Sequence, residues 1–172
     1  RGVDQIIHDV SIQNMPLVLV VDRAGLVPND GITHQGIFDF SLLSAIPRLN
    51  IYSPEKYSEM NILLDRSVQE KSISVIRIPK GPENEYKHFL DTEYTDDLSM
   101  EYTVNSESAN VVILTYGRLS SVAHGAAELL VGECNTGVVK LVQINPINYG
   151  KLAELTKNAD LIYVLEEGIR AS

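Results

Sequence analysis

The feature that most constrains this chain is a recurring alternation of short, aliphatic runs with helical patterns. The first run, Pro16–Val21, is almost continuously apolar and rich in Val and Leu. Runs of this kind suit strands buried on both faces, as in a parallel sheet. Leu49–Tyr52 and Ser72–Ile78 repeat the pattern. Ahead of the first run, Val3, Ile6, Ile7 and Val10 fall at helical spacing. Phe38–Ile46 is partly helical. Ser53-Pro54 predicts a helix start, with Ser as N-cap, Pro at the first helical position, and Met60, Leu63, Leu64 and Val68 as the core face. After a break the alternation resumes: strand Asn110–Thr115, helix Ser120–Val131, strand Val138–Ile144, helix Tyr149–Lys157, strand Asp160–Leu165. Strands alternating with helices of this length predict right-handed βαβ units.

The break, residues 83–108, is rich in Glu, Asp, Ser and Asn and poor in aliphatics. It reads as an interdomain linker carrying an edge strand around Met100–Val104. The expected architecture is therefore two α/β pieces with mostly parallel sheets, over residues 1–82 and 109–172. Each would expose a strand edge unless something covers it. The opening Arg1-Gly2-Val3-Asp4 has no initiator Met, and the end stops just after a strand-like run, so both ends read as cuts through a longer protein.

Composition narrows the function classes. The 172 residues are 44% hydrophobic and 22% charged, as in folded globular proteins. A formal net charge of -9 argues against nucleic acid as a partner, which needs clustered Lys and Arg. No apolar run approaches the roughly 18 residues of a membrane span, so no membrane partner is expected. The single cysteine, Cys134, excludes an intramolecular disulfide and a cysteine-based zinc site, and fits a reducing, cytoplasmic compartment.

One segment concentrates chemistry. The loop after Pro16–Val21 runs from Asp22 to Gly36 and contains Arg23, Asp30, Thr33, His34 and Gln35 with three glycines. It follows a strand, and ligands in open parallel sheets bind beyond the strands' carboxyl ends. Long loops in compact domains are often functional. Arg23 offers a fork for phosphate or carboxylate. His34 can shuttle a proton near neutral pH, and Asp30 can orient it or bind a hydroxyl. The bland alternative is a surface loop with solvated His34 and Arg23. His8, His88 and His124 read as surface or packing residues, and Asp96-Asp97 and Glu166-Glu167 as solvated acidic pairs.

Arg23-Ala-Gly-Leu-Val, then Asp30-Gly-Ile-Thr-His-Gln-Gly-Ile-Phe-Asp39, then Ile46-Pro47, resembles the signature of the deoxyxylulose-phosphate synthases, a transketolase-like family of thiamine diphosphate enzymes. The opening Arg1-Gly-Val-Asp-Gln-Ile-Ile-His-Asp-Val is similar to the same family. Tyr116-Gly117, the Ala-rich stretch Ala123–Leu130, Asn145-Pro146 and Glu166-Glu167 resemble the start of its C-terminal domain. The resemblance implies that residues 1–82 are the second half of a pyrimidine-binding domain. It implies a homodimeric, magnesium-dependent enzyme that joins pyruvate to glyceraldehyde 3-phosphate with loss of carbon dioxide, supplying isoprenoid and thiamine biosynthesis. The activating glutamate and the metal ligands would lie upstream of Arg1, leaving no metal-binding residue here and this chain alone inactive.

The resemblance also implies residue roles. Arg23 would hold the aldehyde's phosphate, Asp30 and His34 would line the substrate pocket as the catalytic pair, and Arg1 would stand beside the cofactor's pyrimidine. Lys80 falls where the family usually has a second phosphate-binding arginine, and Asn148 where it usually has Asp. A section of another thiamine-dependent transketolase-type enzyme and a noncatalytic assembly module are the alternative readings.

Overall fold

A computed structural model describes residues 2–82, the backbone of 100–103, and residues 108–169. The proposed linker is therefore mostly outside the described residues, as are Arg1, His88 and Asp96-Asp97. The chain divides into two compact units, both α/β.

The first unit holds the residues up to Pro82, with 144–146 and 167–169. Its sheet has the order β1-β3-β2-β7, formed by β1 (Leu17–Asp22), β3 (Ile73–Ile78), β2 (Leu49–Tyr52) and β7 (Gln143–Asn145). β1 and β2 both run parallel to β3. Having neighbours on both sides, β3 is buried almost throughout, with Val75 and Ile76 fully covered. β1 is an edge strand, and Val20 is 49% exposed, so its apolar run is not buried on both faces as expected. At the amino end, α1 (Gly2–Gln5) continues as a π-helix over Ile6–Ser11. Val3, Ile6, Ile7 and Val10 are its half-buried positions, and Ser11 Oγ donates to Pro47 O at 2.8 Å. α2 is short, Asp39–Leu43.

The helix after β2 departs from expectation. α3 begins at Tyr57 and runs to Gln69, not from Pro54. Its N-terminus carries a capping box: Glu59 Oε2 accepts the N–H of the N-cap residue Lys56 at 3.5 Å, and that of Glu55, one residue further out, at 2.6 Å. A carboxylate folded back on the first turn satisfies an orphan donor and meets the positive end of the helix dipole, which the Ser53 hydroxyl would do less well. Its inward face also differs from expectation: Glu59, Leu63 and Ser67 face inward, while Leu64 and Val68 are exposed.

The second unit has the sheet order β4-β6-β5-β8, from β4 (Met100–Thr103), β6 (Thr136–Leu141), β5 (Val111–Tyr116) and β8 (Leu161–Leu165). β5 runs parallel to β6 and β8, and β4 is an antiparallel edge strand where one was expected. The apolar run Val138–Ile144 is two strands, β6 and β7, in different sheets. α4 (Leu119–Leu129) packs Ala123 and Ala127 on Ile113 and Val138. Small residues there let helix and sheet approach closely. His124, expected on the surface, is 2% exposed. It shares the inward stripe with Ser120 and Ala127, at spacings of about one and two helical turns. α5 (Tyr149–Leu155) is capped by Asn148, whose Oδ1 accepts the Lys151 N–H at 3.0 Å. Asn and Asp are equivalent N-caps, so Asn148 is neutral for this helix start.

Candidate active-site loop

β1 and β3 end level, with Asp22 opposite Ile78. The chain leaves β1 through Arg23, whose backbone is left-handed at φ 60, an uncommon conformation for a side chain that branches beyond Cβ. Ala24 N–H still bonds to Ile78 O at 2.9 Å, and Ala24 is buried. The loop is then pinched at its base. Gly25 and Gly36 exchange two backbone hydrogen bonds, Gly25 N to Gly36 O at 2.8 Å and Gly36 N to Gly25 O at 2.9 Å. Gly36 is required there, because a Cβ would strike the Arg23 carbonyl oxygen.

Inside the pinched loop, Gln35 is the fastener. Its Oε1 accepts Val27 N–H at 2.7 Å and its Nε2 donates to Val27 O at 3.1 Å, so one side chain pairs with a backbone residue as a strand neighbour would. The same amide lies 3.3 Å from Gly31 O and 3.5 Å from Asp30 O. Ile32–His34 form a 3-10 turn.

This frame brings three predicted residues together. Asp30 Oδ2 accepts from Arg23 Nη1 at 2.9 Å, and Asp30 Oδ1 accepts from Lys80 Nζ at 2.9 Å. Lys80 lies just past the end of β3, so the two cations come from the carboxyl ends of adjacent parallel strands. The Lys80 hydrogen bond, with lesser help from the Arg23 and His34 charges, holds the Asp30 carboxyl below its ordinary range; partial burial opposes this. His34 is exposed, with Nδ1 3.1 Å from Thr33 Oγ1. The Asp30 carboxylate is engaged by Arg23 and Lys80 and not by His34.

A second ion pair supports the frame and was not anticipated. Arg77, on β3, is 2% exposed and grips Asp39 through Nε–Oδ2 at 2.7 Å and Nη2–Oδ1 at 3.1 Å. Asp39 opens α2, just after the pinched loop. The pair ties the strand that carries Lys80 to the exit of the loop that carries Asp30. The only sequence signal was a charged residue next to the end of the apolar run Ser72–Ile78.

Comparison with known proteins bears on this part of the chain. Residues 1–84 match the family model of the transketolase pyrimidine-binding domain. Over almost its whole length the chain is also similar to 1-deoxy-D-xylulose-5-phosphate synthases. That of Caldanaerobacter subterraneus subsp. tengcongensis is 36% identical over 99% of this chain and 27% of its own length. That of Pasteurella multocida is 34% identical over 98% of this chain and 26% of its own. The chain thus spans about a quarter of the length of the curated relatives it matches. Among solved structures, a split-gene transketolase described as an inactive β4 tetramer superposes with a TM-score of 0.81 at 19% identity, over 96% of this chain and 52% of its own. Transketolase from Leishmania mexicana gives 0.70 at 19% identity, over 92% and 24%. These identities speak for a transketolase fold alone.

Enzymes of the family use thiamine diphosphate, and the donors of this chain fit one side of such a site only. Arg23, Lys80, Asp30 and His34 suit an anionic, hydroxylated substrate. Among the described residues no group of three or more His, Cys, Asp or Glu is disposed to hold a metal ion. No helix of the described residues is long and apolar enough to cross a membrane.

Proposed function

We propose that this chain is part of a thiamine diphosphate-dependent synthase that condenses pyruvate with glyceraldehyde 3-phosphate, releasing carbon dioxide and forming 1-deoxy-D-xylulose 5-phosphate. The observation that carries the reading is the pair of cations, Arg23 and Lys80, meeting at the carboxyl ends of β1 and β3. Ligands collect there in this architecture. A guanidinium and an ammonium suit the phosphate of the aldehyde substrate. Similarity to the synthases over 98–99% of the chain supports the same substrates.

In this reading Arg23 and Lys80 bind the phosphate, Asp30 lines the substrate pocket and bridges the two cations before substrate arrives, and exposed His34 donates a hydrogen bond or moves a proton at the reacting carbonyl. Arg1 contacts the cofactor's pyrimidine. The cofactor supplies carbanion chemistry, with magnesium holding its diphosphate. Residues from about 109 onward form the start of the C-terminal domain. The enzyme is a cytoplasmic homodimer; Cys134 as single cysteine and the exposed apolar edge of β8, Leu161 to Val164, are in keeping with this.

The test is Arg23→Ala in the whole enzyme. Its Michaelis constant for glyceraldehyde 3-phosphate should rise about tenfold or more, the cost of one charge-assisted contact, while that for pyruvate changes far less. Equal damage to both constants would reduce Arg23 to a support of the loop.

A further inference from the structure

Asp30 occupies the place that an incoming anion would need. Its two oxygens are divided between two cations, Oδ2 at 2.9 Å from Arg23 Nη1 and Oδ1 at 2.9 Å from Lys80 Nζ. The carboxylate makes the contacts that two phosphate oxygens would make. We propose that Asp30 is a tethered competitor for the anion site of Arg23 and Lys80: phosphate enters by displacing this carboxylate, and the exchange sets the affinity. The inference rests on the reading of Arg23 and Lys80 as phosphate-binding residues.

The loop is built to present Asp30 at a fixed place. The Gly25–Gly36 bridge closes it, and the Gln35 amide reaches the carbonyls of Asp30 and Gly31. Asn29, immediately before, has left-handed backbone at φ 65. A carboxylate held so close to its partners has a high effective concentration, in the way of any tethered ligand. A free carboxylate gains nothing over it. A dianionic phosphate has more charge and more acceptor oxygens, and can engage the guanidinium fork and the ammonium together.

Asp30 is the one described carboxylate that meets both cations at hydrogen-bond distance. Asp22 Oδ2 is 3.9 Å from Arg23 Nε, and its side chain is 79% exposed, so water screens it. His34 adds no negative charge. With Asp30 in place the group of Arg23, Lys80 and Asp30 has one positive charge; with Asp30 displaced or neutral, both cations face the ligand.

Inorganic phosphate titrated into the whole protein and followed by calorimetry tests this, with wild type, Asp30→Asn and Asp22→Asn compared. Asp30→Asn should bind phosphate about tenfold more tightly, the factor for one charge-assisted hydrogen bond no longer given up. Asp22→Asn makes the same change of charge beside the same arginine and should have a much smaller effect. Unchanged or weaker binding by Asp30→Asn, or equal gains in both variants, would overturn the competition while leaving a phosphate site standing. Phosphate bound by none of the three would overturn the phosphate reading and this inference with it. A second measurement needs no variant: the Asp30 carboxyl carbon is followed by NMR in the wild-type protein at a fixed pH of about 8, where phosphate is the dianion. Its shift should move toward that of a free carboxylate as phosphate is added. A shift that stays unchanged at saturating phosphate would mean that Asp30 keeps its cations, and would refute displacement.

Discussion

At Asp30 the pH dependence has a definite sign. Lys80, by its hydrogen bond, holds the folded carboxyl below its ordinary value of 3.8. A carboxyl depressed by folding adds stability that is fully present above its unfolded pKa and is lost as pH falls through the folded one. The contribution should therefore be constant near neutrality and decline only as the pH drops toward 3.8 and below. Lys80→Met should move the Asp30 titration upward more than Arg23→Met does, as read by carboxyl NMR. The reverse order would make Arg23 the dominant partner. Arg23, Asp30 and His34 were legible in the sequence because they crowd one loop after an apolar run, and the resemblance added Lys80. That Asp30 faces the two cations and not His34 was not legible. It depends on Lys80 arriving from another strand end, fifty positions away. Gln35 was likewise unreadable, since pairing with Val27 needs the folded loop.

Among the elements, the pinned loop and the Arg77–Asp39 pair make the firmest claims. Arg77 is almost wholly buried, and removing one partner of a buried pair strands the other's charge. Arg77→Met should destabilise the protein by about 3–5 kcal/mol in urea unfolding. A loss well under about 1 kcal/mol, the scale of exposed pairs, would show the pair to be solvated in practice. Gly36→Ala should open the loop, because the new methyl group meets the Arg23 carbonyl. Amide exchange at Gly25 and Gly36 should then quicken, while the amides of β3 keep their protection; unaltered exchange at both glycines would contradict the bridge. The strands were readable from their aliphatic runs, and so was the existence of α3 and α4. The inward face was readable less well. At α3 the capping by Glu59 goes with a helix start three residues later than read, and the inward stripe runs through Glu59, Leu63 and Ser67 with Leu64 and Val68 outside it. At α4, His124 went inside because small Ser and Ala neighbours on its stripe leave room for an imidazole. Both outcomes come from competition among polar groups for the interior, which apolar periodicity does not register.

For the whole molecule, two α/β units with mostly parallel sheets followed from the strand–helix alternation alone, because parallel strands need crossover helices. The edge strand β4 was also foreseeable, from its place beside a stretch poor in aliphatics, but its antiparallel direction was not. The division of Val138–Ile144 between two sheets was not, since both halves are equally apolar. Fold by itself leaves the reaction open: transketolases and deoxyxylulose-phosphate synthases share the architecture, and function has to be read from the site. In the proposed reaction the protein uses pyruvate as donor and a phosphorylated aldehyde as acceptor. The most direct measurement gives the whole protein thiamine diphosphate, magnesium, glyceraldehyde 3-phosphate and either pyruvate or a ketose phosphate, and follows carbon dioxide together with the sugar product. One carbon dioxide should be released per 1-deoxy-D-xylulose 5-phosphate formed from pyruvate. Transfer of a two-carbon unit from the ketose phosphate, with no carbon dioxide released from pyruvate, would contradict it.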